Sequence, residues 1–133
     1  SAAYDCLGRL LAQQMGGRYF AIGTDAVITS FNSQTDDGFE ELRVENQNAL
    51  TALAGKTEQG CYYIDVEAAA EDDGWNSILS DKQRMTSLNV SVVTAAKAFY
   101  TIKAVPKDMF DAMIVFGEVS PTTPDQSYSA QIS

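Results

Sequence analysis

Apolar residues in the first fifteen positions recur at spacings of three and four, at Tyr4, Leu7, Leu11 and Met15, with Asp5, Arg9 and Gln13 opposite them. That spacing draws one apolar stripe along a helix, predicted over residues 2–15, with Ser1 to cap its start and Gly16-Gly17 to supply the left-handed residue that ends it. The period then shortens. Residues 19–22 and 26–31 read as two strands joined into a hairpin through Gly23-Thr24-Asp25, where glycine permits a tight turn. Residues 32–38 read as surface loop, since nearly all of them favour turns.

Residues 39–45 alternate weakly, as a strand. Ala49, Leu50, Leu53 and Ala54 fall at helical spacing before Gly55, which predicts a short helix over 46–54. After Gly60 the alternation is clear: Tyr62, Ile64 and Val66 share one face, and Tyr63, Asp65 and Glu67 the other. An acidic link over 68–74 leads to a helix that Asp73 could cap, with Trp75, Ile78 and Leu79 as its stripe.

The densest β-branched and aromatic content lies over residues 86–119. It reads as three strands, at 88–92, 99–102 and 113–116, forming the centre of the sheet. Ala95-Ala96 is a poor turn, because alanine resists positive φ, so helix is the alternative for 92–104. Pro106 starts a short helical turn through Phe110. Residues 120–125, rich in Pro and Thr, are polyproline-like and extended.

These elements predict an α+β fold: a mainly antiparallel sheet of about five or six strands, an N-terminal helix packed on one face, and an extended C-terminal arm. Residues 1–119 form the single globular domain and 120–133 the arm. An arm of this kind gains order by docking on its own body or on a neighbour, which marks Pro121, Pro124, Tyr128 and Ile132 as partner-binding residues. Tyr19-Phe20, Tyr62-Tyr63 and Phe99-Tyr100 each put aromatic neighbours on opposite sides of a strand. Both faces of the sheet therefore carry rings, and the second face calls for another layer or another subunit.

Composition narrows the chemistry. The chain has 133 residues, 45% of them hydrophobic, which suits one domain with a real core. Nine Lys and Arg stand against 18 Asp and Glu, for a formal net charge of -9. The basic residues are scattered, so phosphate neutralisation and nucleic-acid binding are not expected. No apolar run approaches the ~20 residues that span a bilayer, nothing reads as a signal peptide, and no membrane contact is expected. Histidine is absent, which removes the commonest general base, the Ser-His and Cys-His pairs and the usual zinc sites. Cys6 and Cys61 fit no metal spacing; they are either buried thiols or one disulfide.

Local motifs fail on inspection. Gly55-Lys56-Thr57 ends like a phosphate-binding loop, but Leu50 stands where the essential first glycine belongs. Glu71-Asp72-Asp73-Gly74 and Thr35-Asp36-Asp37-Gly38 resemble halves of a calcium loop. The registers they require put Ala69 and Ser80, or Ser33 and Val44, at the first and last ligand positions. Asn89-Val90-Ser91 is a glycosylation triplet inside a predicted strand. Asp65 and Glu67 share a strand face and are the nearest approach to a carboxylate pair.

No cofactor and no metal site is expected. The leading functional expectation is a non-enzymatic structural or assembly subunit of a multi-subunit particle such as a virion, homo-oligomeric through the arm and the aromatic sheet face. A secreted or periplasmic binding module with a Cys6-Cys61 disulfide and a carboxylate-dependent enzyme are the alternatives.

Overall fold

The computed structural model describes residues 7–56, 58–88 and 100–123. In chain order they form α1 (Leu7–Met15), a 3-10 turn (Gly16–Arg18), β1 (Ile22–Thr35), β2 (Gly38–Glu45), a second 3-10 turn (Ala54–Lys56) and β3 (Cys61–Asp65). Then come α2 (Val66–Ala69), α3 (Asp73–Ser80), β4 (Gln83–Thr86), β5 (Thr101–Ala104), α4 (Pro106–Met109) and β6 (Ala112–Val119). The mixed α+β class is as the sequence predicts. The single sheet of five or six strands is not: four strands form one sheet in the order β2-β1-β6-β3, and β4 and β5 pair separately. The β1–β2 and β3–β6 pairs are antiparallel, whereas the two inner strands, β1 and β6, run parallel.

β1 replaces the predicted hairpin. Its 14 residues run unbroken through Gly23, because that glycine serves contact rather than turning. A Cβ at Gly23 would lie 2.8 Å from the Phe110 ring, so the absent side chain makes room for the aromatic. The turn comes later. Residues 32–35 finish β1, Asp36-Asp37 form the reversal, and Gly38, at φ 133°, opens β2 opposite Thr35.

One face of the large sheet carries the core. Ile64, Met113 and Val115 from the sheet meet Leu50, Ala54, Val66, Leu79 and Met85, with Trp75 and Ile78 packed around them. α3 thus buries the predicted stripe, although its N-cap is Asp72, whose side chain accepts from the Trp75 N–H at 3.0 Å, rather than Asp73. β3 alternates as expected only to Asp65. There the carboxylate accepts from the Ala68 N–H at 3.0 Å and caps α2, so Glu67 lies on a helix and shares no strand face with it.

Four further expectations change. Gly16 is left-handed, at φ 53°, and ends α1, but no residue of α1 is buried, so this helix does not cover the sheet. Residues 46–48 are irregular and 49–53 form turns, with no α-helix there. Tyr100 is helical and precedes β5, and Leu88 is not in a strand; most of the predicted strand at 88–92 and of the alternative helix over 92–104 lies outside the described residues. Among the described residues no helix is long and apolar enough to cross a membrane.

Candidate functional site

The sheet's order leaves a gap that polar side chains fill. β2 pairs with β1 only from Ile28 onward, so among the described residues the first half of β1 has β6 on one side and no strand on the other. The chain after β2 takes that place. The Asn46 N–H donates to the Val27 carbonyl at 2.8 Å, and Asp25 ties the neighbouring segments together. Its Oδ1 accepts from the N–H groups of Ala26 at 2.8 Å and Thr86 at 3.2 Å, and its Oδ2 from Asn48 Nδ2 at 2.9 Å. The carboxylate is only 3% exposed. Three donors offset the cost of removing it from water.

Asn48 is the hub of the facing loop. Its Nδ2 also donates to the Arg84 carbonyl at 2.8 Å, while its Oδ1 accepts from the N–H groups of Leu50 and Thr51 at 2.8 and 2.9 Å. These bonds hold residues 48–51 in a turn that the backbone alone could not satisfy, which explains why the predicted helix is missing. Asn46 donates through Nδ2 to the Arg84 carbonyl at 2.8 Å, but its Oδ1 is buried without a hydrogen-bond partner among the described residues.

A pocket of about 360 Å³ opens beside this network, lined by Thr24, Asp25, Ala26, Thr29, Thr86, Leu88, Phe116 and Val119. Tyr62 shares Asp25's face of the sheet, each opposite Val115. Its hydroxyl is buried without a partner among the described residues. Burial, reinforced by the negative charge of Asp25, pushes its pKa up to about 12. At neutral pH it is therefore a phenol, a hydrogen-bond donor and not a base. The chemistry available in the pocket is that of a carboxylate flanked by threonine hydroxyls, able to take a proton from water and to donate to a substrate oxygen.

A second carboxylate group lies just before the start of β1. Asp65, Glu67, Asp111 and Lys107 line a smaller cavity of about 210 Å³ with Phe20 and Phe110. Asp65 is engaged as a helix cap, Asp111 Oδ2 accepts from the Ala21 N–H at 2.7 Å, and Lys107 Nζ donates to Asn76 Oδ1 at 3.0 Å. Among the described residues no group of three or more His, Cys, Asp or Glu is placed to hold a metal ion.

The residues singled out from sequence do not converge here. Pro121 is half-buried beyond the end of β6, and Pro124, Tyr128 and Ile132 lie outside the described residues, as do Cys6, Thr57 and the Asn89-Val90-Ser91 triplet. Cys61 carries a free thiol. Sequence reasoning places Asp25 in a turn because it lies just after Gly23. Its signal is its isolation: one acid inside the run from Ala21 to Ile28.

A family model described as erythromycin esterase matches residues 2–119. No curated protein matches the chain. Among solved structures, a Bacillus cereus protein aligns at 22% identity and a TM-score of 0.67, over 90% of this chain and 29% of its own. A succinoglycan biosynthesis protein aligns at 13% identity and the same TM-score of 0.67, over 87% of this chain and 28% of its own. The chain thus spans under a third of the length of either structure. The match to an esterase family overturns the expectation of a non-enzymatic virion component. The absence of histidine excludes mechanisms that need an imidazole, and it does not exclude membership of a hydrolase family.

Proposed function

The chain belongs to the erythromycin esterase family, and from that premise we propose that it forms part of an ester hydrolase in which the Asp25 pocket faces the reaction. The observation that carries this reading is a carboxylate 3% exposed on a cavity of about 360 Å³ whose walls include Thr24, Thr29 and Thr86. In the reaction proposed, a water oxygen bonds to the ester carbonyl carbon while its proton passes to the Asp25 carboxylate. The tetrahedral oxyanion then collapses, the bond to the alcohol oxygen breaks, and that proton leaves with the alkoxide. A threonine hydroxyl donating to the carbonyl oxygen would stabilise the charge that develops there.

The test is hydrolysis of p-nitrophenyl acetate by the purified protein and by Asp25→Asn, with circular dichroism to confirm folding. A loss of about a hundredfold or more at unchanged fold is the expected result for a general base. Equal rates would remove Asp25 from the chemistry. A wild-type protein that leaves the ester intact would overturn the reading for these residues.

A second reading has its own support. Asp25 already accepts three N–H bonds, so both of its carboxylate oxygens are engaged in holding neighbouring segments. On this reading it positions β4 and residues 46–51, shaping the pocket wall while other residues do the chemistry.

A further inference from the structure

The pocket beside Asp25 has walls of two kinds. Asp25 and Thr29 of β1 and Thr86 of β4 bring a carboxylate and hydroxyls, whereas Phe116 and Val119 of β6 and Leu88 beyond β4 bring only hydrocarbon. The strand register sets the two kinds side by side: Phe116 lies directly opposite Ala26, and Val119 opposite Thr29. Ala26 is 5% exposed, and its single methyl group leaves the space next to the Phe116 ring open. Phe116 and Val119 are half-buried and Leu88 is 37% exposed, so an apolar group laid on this wall would gain by leaving water. Among the described residues that line the pocket none is basic. An anionic group would therefore meet the Asp25 carboxylate with no cation to offset the repulsion.

We propose that this pocket takes esters of short, uncharged aliphatic acids, and that Phe116 and Val119 set the length of chain it accepts. The inference rests on the reading of Asp25 as the group that faces the reaction. With the ester carbonyl at Asp25, the alcohol must leave the pocket, and the group held until the last step is the acyl chain. The hydrocarbon wall is the surface that suits it. A volume of about 360 Å³ holds roughly a dozen water-sized groups, of which the reacting atoms and the attacking water take about five, leaving room for about six carbons.

The test is a series of p-nitrophenyl esters from acetate through butyrate and hexanoate to decanoate, with the hemisuccinate as the charged counterpart of the butyrate. In the wild-type protein kcat/KM should rise about two- to fourfold per methylene up to about six carbons and then level or fall. The hemisuccinate should react at least about tenfold more slowly than the butyrate. A flat series, or equal rates for hemisuccinate and butyrate, would overturn the proposal, while acetate hydrolysis that depends on Asp25 would leave the reading of that residue standing. Val119→Thr keeps the shape of the wall but adds a hydroxyl, and should lower the hexanoate-to-acetate ratio about threefold. Ala26→Val narrows the space beside Phe116 and should lower the same ratio about fivefold. Circular dichroism checks both folds, and unchanged ratios in the folded variants would remove the wall from chain selection. Methyl butyl ketone and methyl ethyl ketone, which cannot be hydrolysed, make the test independent of turnover. Amide NMR shifts at Ala26 and Thr86 should saturate at about tenfold lower concentration with the butyl compound, which is longer by two methylenes. No shift at those residues would overturn the proposal. Binding in this order by a protein that hydrolyses no ester would support the hydrocarbon wall and overturn the Asp25 chemistry alone.

Discussion

Asp25 and Tyr62 both lie directly opposite Val115, one on each side of β6, and so share the core face of the sheet with a single valine between them. Local sequence assigns the one to a turn and the other to packing. Together they place a negative charge and an unbonded phenol in the same dry row, where each alters what the other can do.

The phenol titration is the first consequence. Tyr62 ionises at about 12 in the folded protein, raised by burial and then by Asp25, against about 10 in the unfolded chain. The folded state therefore holds this proton more tightly. Stability is unaffected below pH 10 and falls as pH rises from about 10 to about 12. Denaturant titrations of wild type and Tyr62→Phe should diverge across that window, with the variant losing less. Below it, removing an unpaired buried hydroxyl should be neutral or stabilising by up to about 1 kcal/mol.

Removing the carboxylate should do more. Asp25→Ala strands the N–H groups of Ala26 and Thr86 and one proton of Asn48 Nδ2. Urea unfolding should register a loss of about 2–4 kcal/mol, because buried donors without acceptors each cost about 1–3 and do not add fully. Hydrogen exchange at Thr86 should accelerate along with it.

Gly23→Ala tests why β1 runs straight. The new methyl would press on the Phe110 ring, and overpacking of that kind costs about 1–3 kcal/mol. Pairing it with Phe110→Leu should recover part of the loss, a coupling that a double-mutant cycle of melting curves would measure. If Gly23 were a turn residue, shrinking Phe110 would recover nothing.

Leucine truncation should separate the two longer helices. Leu79 on α3 is fully buried, and Leu79→Ala should cost about 2–5 kcal/mol by chemical unfolding. Leu7 on α1 is 72% exposed, and Leu7→Ala should change stability by less than about 0.5 kcal/mol.

Periodicity carried the elements whose burial is one-sided. β2, the alternation of β3 through Asp65, the α3 stripe and the helical start at Pro106 all arise from neighbours close in sequence. Long-range geometry decided the rest. Nothing local to Gly23 reveals that Phe110 will lie against it, and nothing local to Asn48 reveals that β4 will accept its amide. The candidate site was legible only as an isolated acid in an apolar run, because Asp25 gains its meaning from Thr86 and Asn48. The missing histidine misled for a different reason: it rules out particular catalytic groups, and carboxylates and hydroxyls remain.

The parallel pairing at the sheet's centre also orders events in time. Ile22 lies opposite Ala112, so the pair closes a loop of about 90 residues, whose entropy must be met before the contact repays it. The hairpin of β1 and β2 closes over two residues and needs no such wait. During synthesis it should therefore form first, with β6 completing the sheet only after it leaves the ribosome. Loss of β6 should therefore cost the fold far more than loss of an equal length at either end of the chain.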